Sequence, residues 1–409
     1  MRLLPATVAR ILPVRHVRKL VQKPVGWLDD GCGYQDVQTV LTDPWPSGPY
    51  PHKDMGRIFS ENQQPGGKTK NEKKSKITNN TDKLDFSHIP LEQQSVFLFP
   101  GQGAQFVGMG KQLLDCDAAK HMFDAANHIL GYDLLKLCLE GPKESLDRTI
   151  HCQPAVFVAS LAAAEKLKQE RPEVIKNAVS TAGFSVGEYA ALVFANSLSF
   201  DQALRLVQVR AEAMQRCSEN IPSGMVSVRI TAKSQLSEAI THAKRVASES
   251  MADGNVPVCG VANYLYSGMQ VIGGDEAVLK VLEEIAKEYD VEVVKRLPVS
   301  GAFHTQRMRN AVEPMAAALE SADLQLPTID VYSNVTGQIY ERNISKMKRR
   351  LLDQIHQPVK WEQIQQLLLR KHVDSQFPRY FELGPGKQLG TMFYYVSKKA
   401  YKALTNVPV

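Results

Sequence analysis

Apolar and polar positions alternate along this chain in two rhythms. From Ser95 to about Asn220 short apolar runs trade places with longer amphipathic stretches. Ser95 to Phe99 (SVFLF) is a short, uninterrupted apolar run, the pattern of a buried strand. Ala178-Val179-Ser180-Thr181 is a second β-prone run, and Glu188 to Val193 starts like a helix. Between Ala203 and Arg216, Leu204, Val207, Ala211 and Met214 recur at three- and four-residue spacing, which predicts another helix. Strands alternating with helices predict a parallel α/β sheet. From Gly224 to Leu297 the rhythm changes. Met225–Ile230 reads as a strand, Ala232–Ser248 as a helix, and Val256–Ala262 and Gln270–Ile272 as strands. A helix over Glu276–Tyr289 and a strand over Val291–Arg296 complete a βαββαβ order, the split ferredoxin-like unit. The larger body resumes at Pro298, and no internal repeat is present.

The two ends of the pattern differ from its middle. Residues 1–28 interleave Arg2, Arg10, Arg15, Arg18, Lys19 and Lys23 with aliphatics and contain no acid. This is the pattern of a transit peptide for the mitochondrial matrix; its apolar residues are too interrupted for a secretory segment. Ser60 to Lys83 is polar and lysine-rich, so it cannot bury enough surface to offset its ordering entropy and reads as a disordered linker. The expected division is a transit peptide over 1–28, an arm and linker over 29–89, a large unit over 90–220 plus 298–395, and a small unit over 221–297.

Composition removes several function classes. The net charge of +6 invites a nucleic-acid reading, but residues 1–90 carry five of those six charges. The folded part is nearly neutral and offers no basic field for phosphates. No apolar stretch approaches the ~20 residues that span a bilayer. Six cysteines are scattered without a C-x-x-C pair, which argues against a zinc ribbon or a disulfide framework. No metal site is expected.

Two glycine-bearing segments carry candidate chemistry. Gly183-Phe184-Ser185-Val186-Gly187 stands between the predicted strand and helix, the context of a nucleophile elbow. Glycines allow the sharp turn that exposes the serine, and the helix N-terminus behind it offers N–H groups to a developing oxyanion. Phe99-Pro100-Gly101-Gln102-Gly103-Ala104-Gln105 follows the first strand. Phe106 occupies the place of a third dinucleotide-binding glycine, and no Gly-Lys-Ser/Thr follows, so neither a dinucleotide loop nor a Walker loop fits. What remains is a loop able to aim a backbone N–H at a neighbouring site.

Together these blocks resemble the malonyl-CoA:acyl carrier protein transacylase family, most closely its mitochondrial members. The resemblance runs from about Ser95 to about Phe393. It continues through Gln153-Pro154-Ala155, Val209-Arg210-Ala211-Glu212, Gly301-Ala302-Phe303-His304-Thr305, Ser333-Asn334-Val335-Thr336-Gly337, Pro358-Val359-Lys360-Trp361 and Glu382-Leu383-Gly384-Pro385-Gly386. It implies an α/β-hydrolase-like large unit with a parallel sheet and an inserted ferredoxin-like small unit. It also implies transfer of malonyl from malonyl-CoA to the phosphopantetheine thiol of acyl carrier protein through a malonyl-serine ester, without a metal or redox cofactor, for mitochondrial fatty acid synthesis.

The resemblance assigns roles residue by residue. Ser185 is the expected nucleophile and His304 its base, chosen among ten histidines by the Gly-Ala-Phe-His motif. A serine hydroxyl needs such a base before it attacks. The backbone N–H groups of Val186 and Gln102 are the expected oxyanion hole. Arg210, which in an ordinary helix would lie on a solvated face, matches the arginine that pairs with the malonyl carboxylate; its planar fork suits that group as lysine does not. The backbone carbonyl of Lys360 is the expected partner of the imidazole. Asn334 reads either as support for this region or as a turn-forming asparagine. Two segments depart from the family pattern: Phe184 stands where many bacterial relatives carry histidine, and Asn263-Tyr264-Leu265-Tyr266-Ser267 follows the usual stretch loosely. A serine thioesterase or hydrolase on the same elbow is the competing enzyme, and a catalytically idle scaffold the non-enzymatic alternative. A monomer that binds no nucleic acid is expected. Carrier proteins of this kind are acidic, and Lys346, Lys348, Arg349 and Arg350 form one candidate docking patch.

Overall fold

The computed structural model describes residues 84–249, 256–370, 372 and 376–409. The readings of residues 1–28 as a transit peptide and of Ser60 to Lys83 as a linker lie outside the described residues. Packing on the core begins slightly before residue 90: Phe86 lies against it, and Gln94 Nε2 donates to the carbonyl of Ile89.

The apolar run predicted as a buried strand is β1, Ser95–Phe99, with every residue buried. It lies at the centre of a five-stranded sheet of order β10-β9-β1-β2-β7. It pairs with β2 (Ala178–Gly183) and β9 (Arg379–Leu383), and β7 (Asp330–Tyr332) and β10 (Leu404–Val407) extend the sheet from β2 and β9, every pairing being parallel. The sheet therefore extends past residue 395, where the last recognisable motif had placed the end of the large unit. A four-residue edge strand carries too little pattern to read locally. Helices cover both faces, as a parallel sheet requires. On the face of Phe97 and Phe99 lie α1 (Asp117–Leu130), α2 (Thr149–Glu170), α3 (Gly187–Phe194) and α4 (Phe200–Asn220), while the helices Trp361–Leu369 and Gln388–Val396 pack on the other face, against Val96 and Leu98. Helix α2 is buried almost all round, from Cys152 to Ala164, because its sequence is apolar on every face.

The second rhythm forms a separate sheet of order β6-β3-β5-β4-β8. Strand β3 (Ser223–Arg229) is followed by α5 (Leu236–Ser248), β4 (Cys259–Tyr266), β5 (Met269–Asp275), α6 (Glu276–Ile285) and β6 (Glu292–Arg296). The first four strands pair antiparallel in the ferredoxin-like order. The bounds differ from the sequence reading by a few residues: α5 starts at Leu236 where Ala232 was expected, β4 starts later and runs on to Tyr266, and β5 runs through Gly273 and Gly274 to Asp275. Those glycines look like a turn in the sequence. Here they are paired opposite Met225 and Gly224, and they are small because Thr305 and the Val258 carbonyl press against them.

The chain then adds α7 (Val312–Glu320), α8 (Ile344–His356), the short strand β8 (Val359–Lys360), α9 (Trp361–Leu369) and α10 (Gln388–Val396). Strand β8 leaves the large body to pair in parallel with β4, so the small sheet is not built from residues 221–297 alone.

Candidate active site

The loops after β1, β2 and β9 emerge together at the carboxyl edge of the large sheet, the usual ligand position in parallel α/β folds. With the small sheet they enclose a cavity of about 790 Å³. Ser185, Arg210 and His304 line it, with Met214, Val271 and Phe303 among its apolar walls.

The elbow is dictated by glycines. A Cβ on Gly183 would fall 1.9 Å from the Gly187 carbonyl, and one on Gly187 would fall 2.3 Å from the Phe99 oxygen. No side chain fits either place, so the strand and α3 meet almost backbone to backbone. Gly101 is similarly pressed against the Phe184 carbonyl, at 2.5 Å, which brings the Gly101-Gln102-Gly103 loop alongside the elbow. Between them Ser185 takes φ +53, a left-handed conformation that costs a non-glycine residue energy. Asn334 clamps it: Ser185 N–H donates to Oδ1 at 2.7 Å, and Nδ2 donates to the Gly183 carbonyl at 2.7 Å. The asparagine thus acts on the elbow across the sheet.

His304 also has a left-handed backbone, φ +60. Its Nε2 lies 2.8 Å from Ser185 Oγ, and its Nδ1 lies 2.7 Å from the carbonyl of Gln354. The second contact corrects the expectation for Lys360. A backbone carbonyl does hold the imidazole, but it belongs to the last turn of α8, six residues upstream. Lys360 instead donates its N–H to the Asn334 carbonyl at 2.8 Å. Burial, and then the Arg210 cation, push the His304 pKa down to about 3. The ring is therefore neutral near pH 7 and able to accept a proton.

Arg210 is 1% exposed and faces inward from the middle of α4. Its Nη1 donates to Gln153 Oε1 at 2.5 Å, and its Nη2 donates to Gln354 Oε1 at 2.8 Å and to Ser185 Oγ at 3.1 Å. These partners are all neutral oxygens, and Nε has no partner. A buried guanidinium held by neutral amides on the wall of a cavity can exchange them for an incoming carboxylate. Burial lowers its pKa, and the nearby Tyr189 and Glu188 side chains act in the opposite direction.

Three participants were not assigned roles from the sequence. Gln354 donates Nε2 to the Ser185 carbonyl at 2.9 Å and to Glu188 Oε2 at 2.6 Å, while its own two oxygens serve Arg210 and His304. Glu188 also accepts from Tyr340 Oη at 2.6 Å and from Asn334 N–H at 3.2 Å. Burial raises its carboxyl to about 7 against those donors. Gln153 stood in a recognised motif; nothing local in the sequence marked Gln354. Val186 is the N-cap residue of α3, so its N–H lies at the helix N-terminus as expected. Gln102 lies on the cavity wall, with Nε2 held by Thr149 Oγ1 at 3.3 Å. Phe184 packs edge-on against Trp361, ring centroids 5.5 Å apart. Asn263 lines the cavity, with its buried Nδ2 unpartnered.

Comparison with known proteins decides the family. Residues 96–370 match the acyl transferase domain family. The mitochondrial malonyl-CoA–acyl carrier protein transacylase of Homo sapiens is 46% identical over 321 residues, covering 78% of this chain and 80% of that protein. This chain belongs to the malonyl-CoA–acyl carrier protein transacylase family. A Bacillus subtilis malonyl CoA-acyl carrier protein transacylase is 34% identical, over 74% of this chain and 90% of its own. Among solved structures, an acyl-carrier-protein S-malonyltransferase from Burkholderia pseudomallei superposes with a TM-score of 0.66 at 29% identity, covering 77% of this chain and 96% of that one. A malonyl-transacylase solved with a type II polyketide synthase acyl carrier protein gives 0.66 at 27% identity, with the same coverages. In this family member, the serine, imidazole and guanidinium, from the turn after β2, the loop after β6 and α4, converge within a few ångströms.

Proposed function

We propose that this chain transfers a malonyl group from malonyl-CoA to the phosphopantetheine thiol of acyl carrier protein, by a ping-pong reaction through a malonyl ester of Ser185. Its close relatives are mitochondrial proteins, and the acid-free, arginine-bearing N-terminus supports import into the matrix. Among the described residues no helix is long and apolar enough to cross a membrane.

The observation that carries the reading is the contact of Ser185 Oγ with both His304 Nε2 at 2.8 Å and Arg210 Nη2 at 3.1 Å. A base on one side and a carboxylate receptor on the other suit a short dicarboxylic acyl group. In the first half-reaction Arg210 exchanges its amide partners for the malonyl carboxylate. Ser185 Oγ attacks the thioester carbon as His304 Nε2 takes its proton. The developing oxyanion is met by the N–H groups of Val186 and Gln102; loss of one such donor typically costs about a hundredfold or more. The C–S bond breaks and the imidazolium protonates the departing CoA thiolate. In the second half His304 takes the proton of the pantetheine thiol, sulfur attacks the ester carbon, and Ser185 leaves with that proton. Nδ1 remains bound to the Gln354 carbonyl throughout, which keeps Nε2 aimed at the serine and stabilises the imidazolium. Acetyl donors leave the buried cation without its partner, which penalises them.

Intact-mass spectrometry after brief exposure to malonyl-CoA tests this directly. A malonyl adduct on Ser185 is expected, discharged by carrier-protein thiol and lost in Ser185→Ala. Arg210→Ala should lower loading by about a hundredfold or more, the cost of a buried charge-assisted contact. An adduct that forms equally from acetyl-CoA and is cleared by water would instead identify a thioesterase.

A further inference from the structure

The cavity opens beside a basic surface, although the folded part of the chain is nearly neutral as a whole. From Gly384 to Val409 the chain carries four lysines, Lys387, Lys398, Lys399 and Lys402, and no acid. All four are exposed. The segment folds as α10 and the short helix Lys398–Tyr401, and α10 places Thr391, Met392 and Tyr395 on the cavity wall. Among the lysines stand Tyr394, Tyr395 and Tyr401, each more than 40% exposed.

These rings form one continuous group. The Tyr394 ring lies 5.7 Å from that of Tyr395 and 5.3 Å from that of Tyr401, and Lys398 Nζ lies 5.9 Å from the Tyr394 centroid. Tyr395 stacks on Tyr266 of β4 at 4.9 Å, so the group bridges the large and small sheets at the rim. Exposed tyrosines beside charges of a single sign have the composition of an interface, and the sign selects an anionic partner.

The acceptor thiol must reach Ser185 on an arm whose far end carries a phosphodiester, so the protein bearing that arm has to rest at the rim. We infer that the surface of α10 and Lys398–Tyr401 is the docking face for acyl carrier protein. Tyr394, Tyr395 and Tyr401 pack against the carrier, the lysines meet its carboxylates, and the arm passes Tyr395 into the cavity. This rests on the transferase reading. The other basic run, on α8, is set among its own acids: Lys346 and Arg350 lie 3.9 and 3.2 Å from Glu341, and Arg349 lies 3.9 Å from Asp353. None of these residues lines the cavity.

The two half-reactions separate the arms of the test. In the triple variant Lys398→Glu, Lys399→Glu, Lys402→Glu, loading of Ser185 by malonyl-CoA should stay within about twofold of the parent. Its KM for carrier protein should rise about tenfold or more, with a flatter salt dependence. Lys348→Glu with Arg349→Glu should leave both half-reactions unchanged. An unchanged carrier KM in the triple variant overturns the inference, and so does an equal rise in the KM for malonyl-CoA, which would assign the lysines to CoA phosphates. A carrier defect confined to the Lys348/Arg349 variant moves docking to α8. If loading itself falls, the triple glutamine replacement, which removes charge without adding acid, decides by the same carrier KM. Failure of the parent protein to load Ser185 at all would sink the transferase reading first, a result distinct from any of these.

Discussion

Ser185 and His304 both hold left-handed backbones, and each is fastened by contacts from distant segments. Those contacts hold two conformations that cost a non-glycine residue energy, and in them the hydroxyl and the imidazole meet. Burial, and after it the Arg210 cation, hold the His304 pKa at about 3, so the base form persists far below the ordinary imidazole range. Reaction of Ser185 with a neutral fluorophosphonate should therefore lose rate only at strongly acid pH. In Arg210→Gln the cation is gone, the imidazolium is easier to form, and the acid limb should move upward. A limb that stays in place would mean that burial alone depresses the histidine. Ser185, His304 and Arg210 were singled out in the sequence because each stands in a motif, and the structure brings the three side chains into contact. The carbonyl behind His304 was misplaced at Lys360, since a backbone oxygen has no side-chain signature and the last turn of α8 is positioned by packing alone.

At the scale of elements the elbow is the most strongly encoded feature. Three glycines permit three close backbone approaches, and the strand and helix on either side are readable from their apolar spacing. Gly187→Ala would set a methyl 2.3 Å from the Phe99 oxygen, with the Pro100 oxygen at 2.6 Å. Both obstacles are backbone, so the cost should be about 3 kcal/mol or more. A denaturant midpoint equal to that of the parent would show that the elbow can relax. The ferredoxin-like order was legible too, but β5 was read short. Gly273 and Gly274 have the composition of a turn, and they pair as a strand because the segment carrying Thr305 packs against them.

Across the whole molecule the two sheets are joined by specific ties around the cavity. Arg307, three residues after His304, donates Nε to Asp275 Oδ1 at 2.5 Å and Nη2 to Oδ2 at 2.6 Å. Asp275 ends β5 and also accepts the Val258 N–H at 2.8 Å. This nearly buried pair fastens the small sheet to the segment that carries the base. Asp275→Ala leaves the Arg307 guanidinium with the Val256 carbonyl alone and the Val258 N–H unanswered, and should cost about 3 kcal/mol in urea unfolding. Slower Ser185 loading should accompany it, because the loop before Arg307 would lose its anchor. Unchanged stability and loading would show that the tie is dispensable. Strand β8 on the edge of β4 and the Tyr266–Tyr395 stack tie the same halves elsewhere.

Local demands are what the chain states openly: where glycine alone fits, where apolar spacing is that of a strand or a helix, which side chains can attack, accept a proton or hold a carboxylate. Each depends on neighbours within about a dozen residues, so spacing records it. Contacts between distant residues are recorded nowhere in that spacing. Ser185 meets His304 across 119 residues and Arg210 meets Gln354 across 144. Folding chose the inward face of α4 for Arg210, made Gln354 the common partner of serine, base and arginine, and set the lysines and tyrosines of the last two helices beside the cavity. Those outcomes follow from how helices pack on two twisted sheets, and they became fixed when the sheets closed around the cavity.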